Sequence, residues 1–173
     1  MSIGKALEPQ KMPLFNVVLY EPDIPHNTGV VGRLCLATGS LLHLIEPLGF
    51  RLTDAGLRRA GLDYWQYVQL RRHVNFDSFL RHETPARLLL FSTHGVRPHW
   101  EIDFRRGDYL LFGSETRGLP VDLRQRYAET CFRIPMRTGW VRSLNLATAV
   151  SIVLYEGLRQ LVSSGGVADG DLK

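Results

Sequence analysis

Three short stretches of this chain set side chains capable of chemistry among residues that bend the backbone. In YLLFGSETRGLP (109–120) an apolar run ends in Glu115 and Arg117, bracketed by Gly113 and Gly118. Glycine permits tight turns and close approach of backbone to a ligand, so this pair is a candidate to face a crevice. The plainer alternative is an exposed ion pair of little energetic worth. In IPMRTGWVRSLNLATAV (134–150), Arg142, Ser143 and Asn145 fall in the first turn of an expected helix, where free N–H groups favour anions and polar ligands. Ser143 is equally a good N-cap. In PHNTGVVGRLC (25–35), Asn27 and Arg33 stand six residues apart. That spacing suggests a loop amide and a helix-borne guanidinium facing one cavity; the alternative for Arg33 is a solvated first-turn arginine.

The elements that must position these residues follow from hydrophobic pattern and punctuation. Strands are expected at Phe15–Tyr20, Leu41–Ile45, Tyr67–Leu70, Arg87–Ser92, Tyr109–Phe112 and Thr130–Ile134. Helices are expected at Val30–Ala37 (capped by Asn27 or Thr28), Thr53–Gly61, Phe76–His82 and from Ser143 to about Val162. Most strands are continuous apolar runs that alternate with helices, which predicts an α/β fold with a mainly parallel sheet flanked by helices and buried on both faces. In such sheets ligands bind outside the carboxyl ends of the strands, where the three stretches fall. Residues 1–12 read as a flexible leader, 13–162 as a single domain and 163–173 as a disordered tail.

The chain has 173 residues, 45% hydrophobic and 22% charged, ordinary values for one globular domain. The N-terminal MSIGKALEPQKMP lacks the apolar core of a signal peptide, and no apolar run is long enough to span a bilayer. A cytoplasmic protein without a membrane partner is expected. Cys35 and Cys131 lie in apolar stretches without CxxC or Cys/His ligand spacing, so reduced core thiols and no metal are expected. Net charge is +4, and of 21 cations only Lys5, Lys11 and Lys173 are lysines. Arginine's planar fork suits bidentate phosphate contact, so an anionic partner such as RNA is plausible; a compositional bias is the bland alternative. Arg58, Arg59, Arg71, Arg72 and His73 are candidate phosphate contacts, with Tyr64 and Trp65 available for base stacking. Each has a solvated or half-buried alternative. No GxGxxG follows the first strand, and GxxxxGK[ST], HExxH and GxSxG are absent, which argues against dinucleotide, P-loop, zinc-protease and serine-hydrolase chemistry.

The three stretches resemble, in order and spacing, the three motifs of the SPOUT (SpoU-type) RNA 2′-O-methyltransferases. NVVLYEPDIPHNTG, IEPLGF and LRRAGLDYW narrow the likeness to the small tRNA wobble-nucleotide 2′-O-methyltransferases, from about Phe15 to Leu161. The resemblance implies a SPOUT-type fold with a C-terminal deep trefoil knot, and homodimers. It implies S-adenosylmethionine bound by Phe91, Thr93, Gly113, Ile134, Met136, Ser143 and Leu144. It implies 2′-O-methylation of a wobble pyrimidine in the tRNA anticodon stem-loop, notably of leucine tRNAs, with Arg142 beside the RNA. Ribosomal RNA, another tRNA position, or a silent RNA-binding dimer are the competing readings. Val30, Ser114 and Thr148 depart from the residues common in the motifs; Val30 replaces a polar residue that would support the first loop.

The same resemblance puts catalysis on Asn27, Arg33, Glu115, Ser143 and Asn145. Methyl transfer from a sulfonium needs alignment more than acids or metals, and alignment can supply roughly 7–11 kcal/mol. The family proposal makes Arg33 the base, and the homodimer the resemblance implies lets Arg33 serve the partner's cofactor. A guanidinium keeps its proton in proteins, which leaves a second role open: gripping phosphate and stabilising a developing alkoxide. Glu115 is expected either to orient Arg33 or to hold loop backbone. Arg117 is expected to touch RNA or to close the turn.

Overall fold

The computed structural model describes residues 12–51, 63–137 and 139–168. Seven parallel strands form the sheet: β1 (Asn16–Tyr20), β2 (Leu41–Ile45), β3 (Leu70–His73), β4 (Leu88–Phe91), β5 (Arg97–Pro98), β6 (Tyr109–Gly113) and β7 (Cys131–Arg133), in the order β3-β2-β1-β6-β4-β7-β5. The helices are α1 (Pro25–Thr38), α2 (Phe76–Glu83), α3 (Val121–Arg126) and α4 (Leu146–Ser163), with 3-10 turns at Asp63–Tyr67, His99–Glu101 and Ala128–Thr130.

Strand side chains alternate between two apolar layers. Val17, Leu19, Leu42, Leu44, Leu110 and Phe112 pack with Val31 and Cys35 of α1 and Val150, Val153 and Leu154 of α4. Val18, Ile45, Leu90 and Leu111 pack on the other face with Phe79 of α2 and Leu123 of α3. Burial on both faces explains why these strands read as unbroken apolar runs. Cys35 and Cys131 are free and buried, as expected, and burial pushes both thiols up.

Several elements differ from expectation. Helix α1 begins at Pro25, with Ile24 as its N-cap and no side-chain cap. Proline is tolerated in a first turn, where its missing N–H has no intrahelical acceptor anyway. Asn27 and Thr28 therefore lie inside the helix, not at its cap. The third strand is displaced to Leu70–His73, because residues 63–67 coil into a 3-10 turn. β5 and α3 were not expected; the first has two residues and the second six. α4 is capped by Asn145, not Ser143. Beyond Ser163 the described chain turns back on α4: Gly165 and Gly166 donate to Val162 and Leu161 carbonyls, and Val167 is buried against the core, a Schellman-type closure. The helix expected at Thr53–Gly61 lies outside the described residues. No helix among the described residues is long and apolar enough to cross a membrane.

Candidate active site

β6 lies between β1 and β4, and Tyr20 is in register with Gly113. The chain leaving β1 and the chain leaving β6 therefore emerge side by side. Gly113 has φ +116°, and a Cβ there would fall 2.4 Å from the Tyr20 carbonyl oxygen. Glycine is required here for the approach of two strands, rather than for ligand room alone.

Beyond Gly113, Glu115 turns onto the neighbouring loop. One of its oxygens accepts from the Asp23 N–H at 2.7 Å, and the other accepts from Ile24 N–H at 3.3 Å and from Asn27 Nδ2 at 3.0 Å. A carboxylate only accepts, so the amide of Asn27 must present nitrogen to Glu115 and oxygen to the other side. There Asn27 Oδ1 accepts from Asn145 Nδ2 at 2.9 Å. Asn145 Oδ1 in turn caps α4 by accepting from the Ala147 and Thr148 N–H groups. One polarised chain, Glu115–Asn27–Asn145, thus ties all three motif loops together, with donor and acceptor fixed at each link.

Outer contacts brace the same turn. Asp23 accepts from the Thr116 hydroxyl at 2.6 Å and from the Thr116 N–H, and that hydroxyl is the main cause holding its carboxyl below the usual range. Arg117 pairs with Glu21 at 2.9 Å. Ser114 Oγ accepts from the Arg117 N–H, a side-chain link inside the turn. Val30, in the second turn of α1, packs against the apolar core, so the first motif gains apolar in place of polar support.

These loops enclose a cavity of about 340 Å³. All seven residues expected at the cofactor, Phe91, Thr93, Gly113, Ile134, Met136, Ser143 and Leu144, line it, together with Asn27, Glu115, Asn145 and Arg142. Phe91 and Phe112 stack at 4.6 Å between centroids beneath one wall. Ile24, His94, Leu119 and Arg124 also line the cavity and were not singled out from the sequence. Arg124 belongs to the unexpected α3 and donates to the Leu119 carbonyl; proximity to a strand end was the available signal.

Arg33 stands apart. It is exposed on α1 and does not line this cavity. Six residues along a helix amount to about 9 Å and a rotation of about 120° away from Asn27, so the two cannot share one cavity within one chain. Its guanidinium lies over the Tyr64 ring, 4.4 Å from the centroid.

The model of the SpoU rRNA Methylase family matches residues 14–155. The chain belongs to the SpoU methylase family. It is 52% identical over 156 residues to the tRNA (cytidine(34)-2'-O)-methyltransferase of Burkholderia cenocepacia (strain HI2424), covering 88% of this chain and 99% of that one. A solved structure described as "Structural insights into the 2-OH methylation of C/U34 on tRNA" superposes with a TM-score of 0.79 at 49% identity, covering 86% of this chain and 97% of that one. An AdoMet-bound rRNA methyltransferase from Sinorhizobium meliloti superposes with a TM-score of 0.75 at 30% identity, covering 90% of this chain and 59% of that one. The parallel α/β architecture found here is the one the resemblance implied.

The SpoU-family chain treats its candidate RNA residues unevenly. Arg142 is exposed at the cavity. Arg71 donates to Glu83 at 2.7 Å and Arg72 to Glu46 at 2.6 Å; both are exposed, and both charges are engaged on the protein. His73 is buried rather than a phosphate contact: its Nε2 meets His43 Nδ1 at 3.1 Å. The direction of that bond follows from the far side. Asn16 Nδ2 donates to Gly107 O, so Asn16 Oδ1 accepts from His43 Nε2–H, leaving His43 Nδ1 as the acceptor. Glu83 comes within 3.8 Å of this pair and is held by Arg71 and the Tyr109 hydroxyl. Three donor atoms at such spacing resemble a metal-ligand set; the two imidazoles are hydrogen-bonded to each other, and Glu83 is held through its other oxygen, Oε2. Tyr64 and Trp65 face α1: the Tyr64 hydroxyl donates to the Gly29 carbonyl at 3.0 Å, and Trp65 lies over Gly32. Arg58 and Arg59 lie outside the described residues.

Proposed function

We propose that this chain methylates the 2′-hydroxyl of the wobble pyrimidine, C or U at position 34, in tRNA, with leucine tRNAs as its substrates and S-adenosylmethionine as methyl donor. The observation that carries the reading is the Glu115–Asn27–Asn145 chain, which holds three loops around one cavity. Relatives 52% and 49% identical, over 88% and 89% of the chain, bear the name tRNA (cytidine(34)-2'-O)-methyltransferase.

The cavity suits the donor chemically. Ile134, Met136 and Leu144 offer apolar surface to a nucleoside, while Asn27, Ser143 and Asn145 put hydrogen-bonding groups in the lining. Bound there, S-adenosylmethionine would supply an electrophilic methyl group whose transfer to the ribose oxygen leaves a neutral thioether. The protein's part is alignment. Glu115 and Asn145 fix Asn27; Ser143 and Arg142 meet the ribose and its flanking phosphate; and Arg33, which keeps its own proton, stabilises the negative charge that develops on the ribose oxygen as the hydroxyl proton passes to water.

Because Arg33 points away from its own chain's cavity, the reading requires a homodimer in which Arg33 reaches the cavity of the partner. It also takes residues 13–162 as one domain, the C-terminal segment as threaded into a deep trefoil knot, and the cytoplasm as the place of action. In support of the knot, Ile134, Met136 and Arg142–Leu146 line the same cavity as Phe91–His94 and Phe112–Leu119.

Arg33→Ala tests the assignment. The variant should lose tritiated-methyl transfer to tRNA while calorimetry finds cofactor affinity near wild type. Normal turnover would remove Arg33 from the mechanism.

A further inference from the structure

A long side chain exposed on a helix samples many rotamers, so an arginine needed in one direction must be held. Among the described residues no carboxylate pairs with Arg33; what meets it is the ring of Tyr64, 4.4 Å from the guanidinium carbon. The Tyr64 hydroxyl is itself tied to the carbonyl of Gly29, one turn earlier on the same face of α1. Beside it, Trp65 presses on Gly32, where a Cβ would fall 2.5 Å from the indole. The absent side chain at Gly32 is what lets the 63–67 turn lie flat on the helix and deliver Tyr64 to Arg33.

We infer that Tyr64 is the positioning residue of Arg33, a platform that sets the direction of its guanidinium rather than a base-stacking contact. An aromatic face attracts a guanidinium and restricts its plane. Unlike a carboxylate, it leaves the positive charge unneutralised and the N–H donors free for a phosphate or a developing alkoxide. This inference rests on the proposed role of Arg33.

The test compares Tyr64→Phe, Tyr64→Leu and Arg33→Ala in methyl-transfer kinetics, with cofactor affinity from calorimetry and tRNA affinity from gel shift. Tyr64→Phe keeps the stack and should hold kcat within about threefold of wild type, whereas Tyr64→Leu should lower kcat by about tenfold or more, with KM for tRNA and cofactor affinity little changed. Adding Tyr64→Leu to Arg33→Ala should cause no further loss. A fully active Arg33→Ala overturns the role of Arg33 and this inference with it. An inactive Arg33→Ala beside a fully active Tyr64→Leu overturns the positioning role alone. A raised KM for tRNA with intact kcat in Tyr64→Leu makes Tyr64 an RNA contact, and also overturns it. If Tyr64→Leu does not fold, NMR of the wild-type protein decides. Arg33 side-chain signals displaced by the tyrosine ring current support the platform; signals at random-coil positions refute it.

Discussion

Glu115→Gln separates scaffold from chemistry at the head of the network. The wild-type carboxylate uses both oxygens as acceptors, one for Asp23 N–H at 2.7 Å and the other for Ile24 N–H and Asn27 Nδ2. Glutamine is nearly isosteric, yet one of its two positions becomes an NH₂ facing a donor. With oxygen kept toward Asn27, the shortest bond, to Asp23, is lost and the other two become neutral. A hydrogen bond to a charged group contributes about 1.5–3 kcal/mol, against about 0.5–1.5 kcal/mol for a neutral one. Those terms sum to about 3.5–6 kcal/mol, and partial exposure of the bonds and relaxation of the loop bring the expected loss to about 2–4 kcal/mol. For a chain of this length that is a fall in Tm of roughly 4–16 °C. Urea midpoints give the global value, and hydrogen exchange at the Asp23 amide reports the local one, which should lose protection. An unchanged midpoint and a protected Asp23 amide, together with lost methyl transfer, would refute the reasoning and make Glu115 a chemical participant.

Three further outcomes follow from the same geometry. Gly113→Ala places a methyl group 2.4 Å from the Tyr20 carbonyl at φ +116°; it should cost more than about 3 kcal/mol by urea unfolding, and near-wild-type stability would contradict the strand contact. Arg117→Ala removes an exposed pair with Glu21 and should change stability by less than about 1 kcal/mol, so any larger fall in tRNA affinity assigns Arg117 to RNA. Acid should destabilise the fold through His43, whose pKa burial pushes down to about 3, against about 6.5 in an unfolded chain. The unfolded state binds the extra proton between these values. Stability is therefore full above about pH 6.5 and declines toward about pH 3, by on the order of 5 kcal/mol for this group; His43→Gln should flatten that slope in urea titrations between pH 7.5 and pH 4.

The sheet was legible because its strands are buried on both faces, so β1, β2, β4 and β6 stand out as apolar runs. β3 was not, because Arg71 and Arg72 are exposed in it while the apolar Tyr67–Val68 beside them belongs to a turn and its exit. Two residues in β5 and six in α3 are too few for a periodic signal. The residues around the cavity were legible through motif resemblance, and their partners were not. Asn145 as cap instead of Ser143, and Glu115 directed at Asn27 instead of Arg33, depend on loops that meet across 88 and 118 residues of sequence. Placing Asn27 in a loop rather than inside α1 hid the rotation that separates it from Arg33. Tyr64 and Trp65 looked like exposed stacking residues because nothing in their own stretch announces Gly29 and Gly32 as their seats.

The central claim is a specific methyl transfer, and one measurement reaches it directly. Purified protein is incubated with S-adenosylmethionine and unmodified leucine tRNA, and the product is digested and mapped by mass spectrometry. The account predicts one added methyl group, on the ribose of nucleotide 34. A methyl group on a base, at another nucleotide, or no methyl group at all would contradict it.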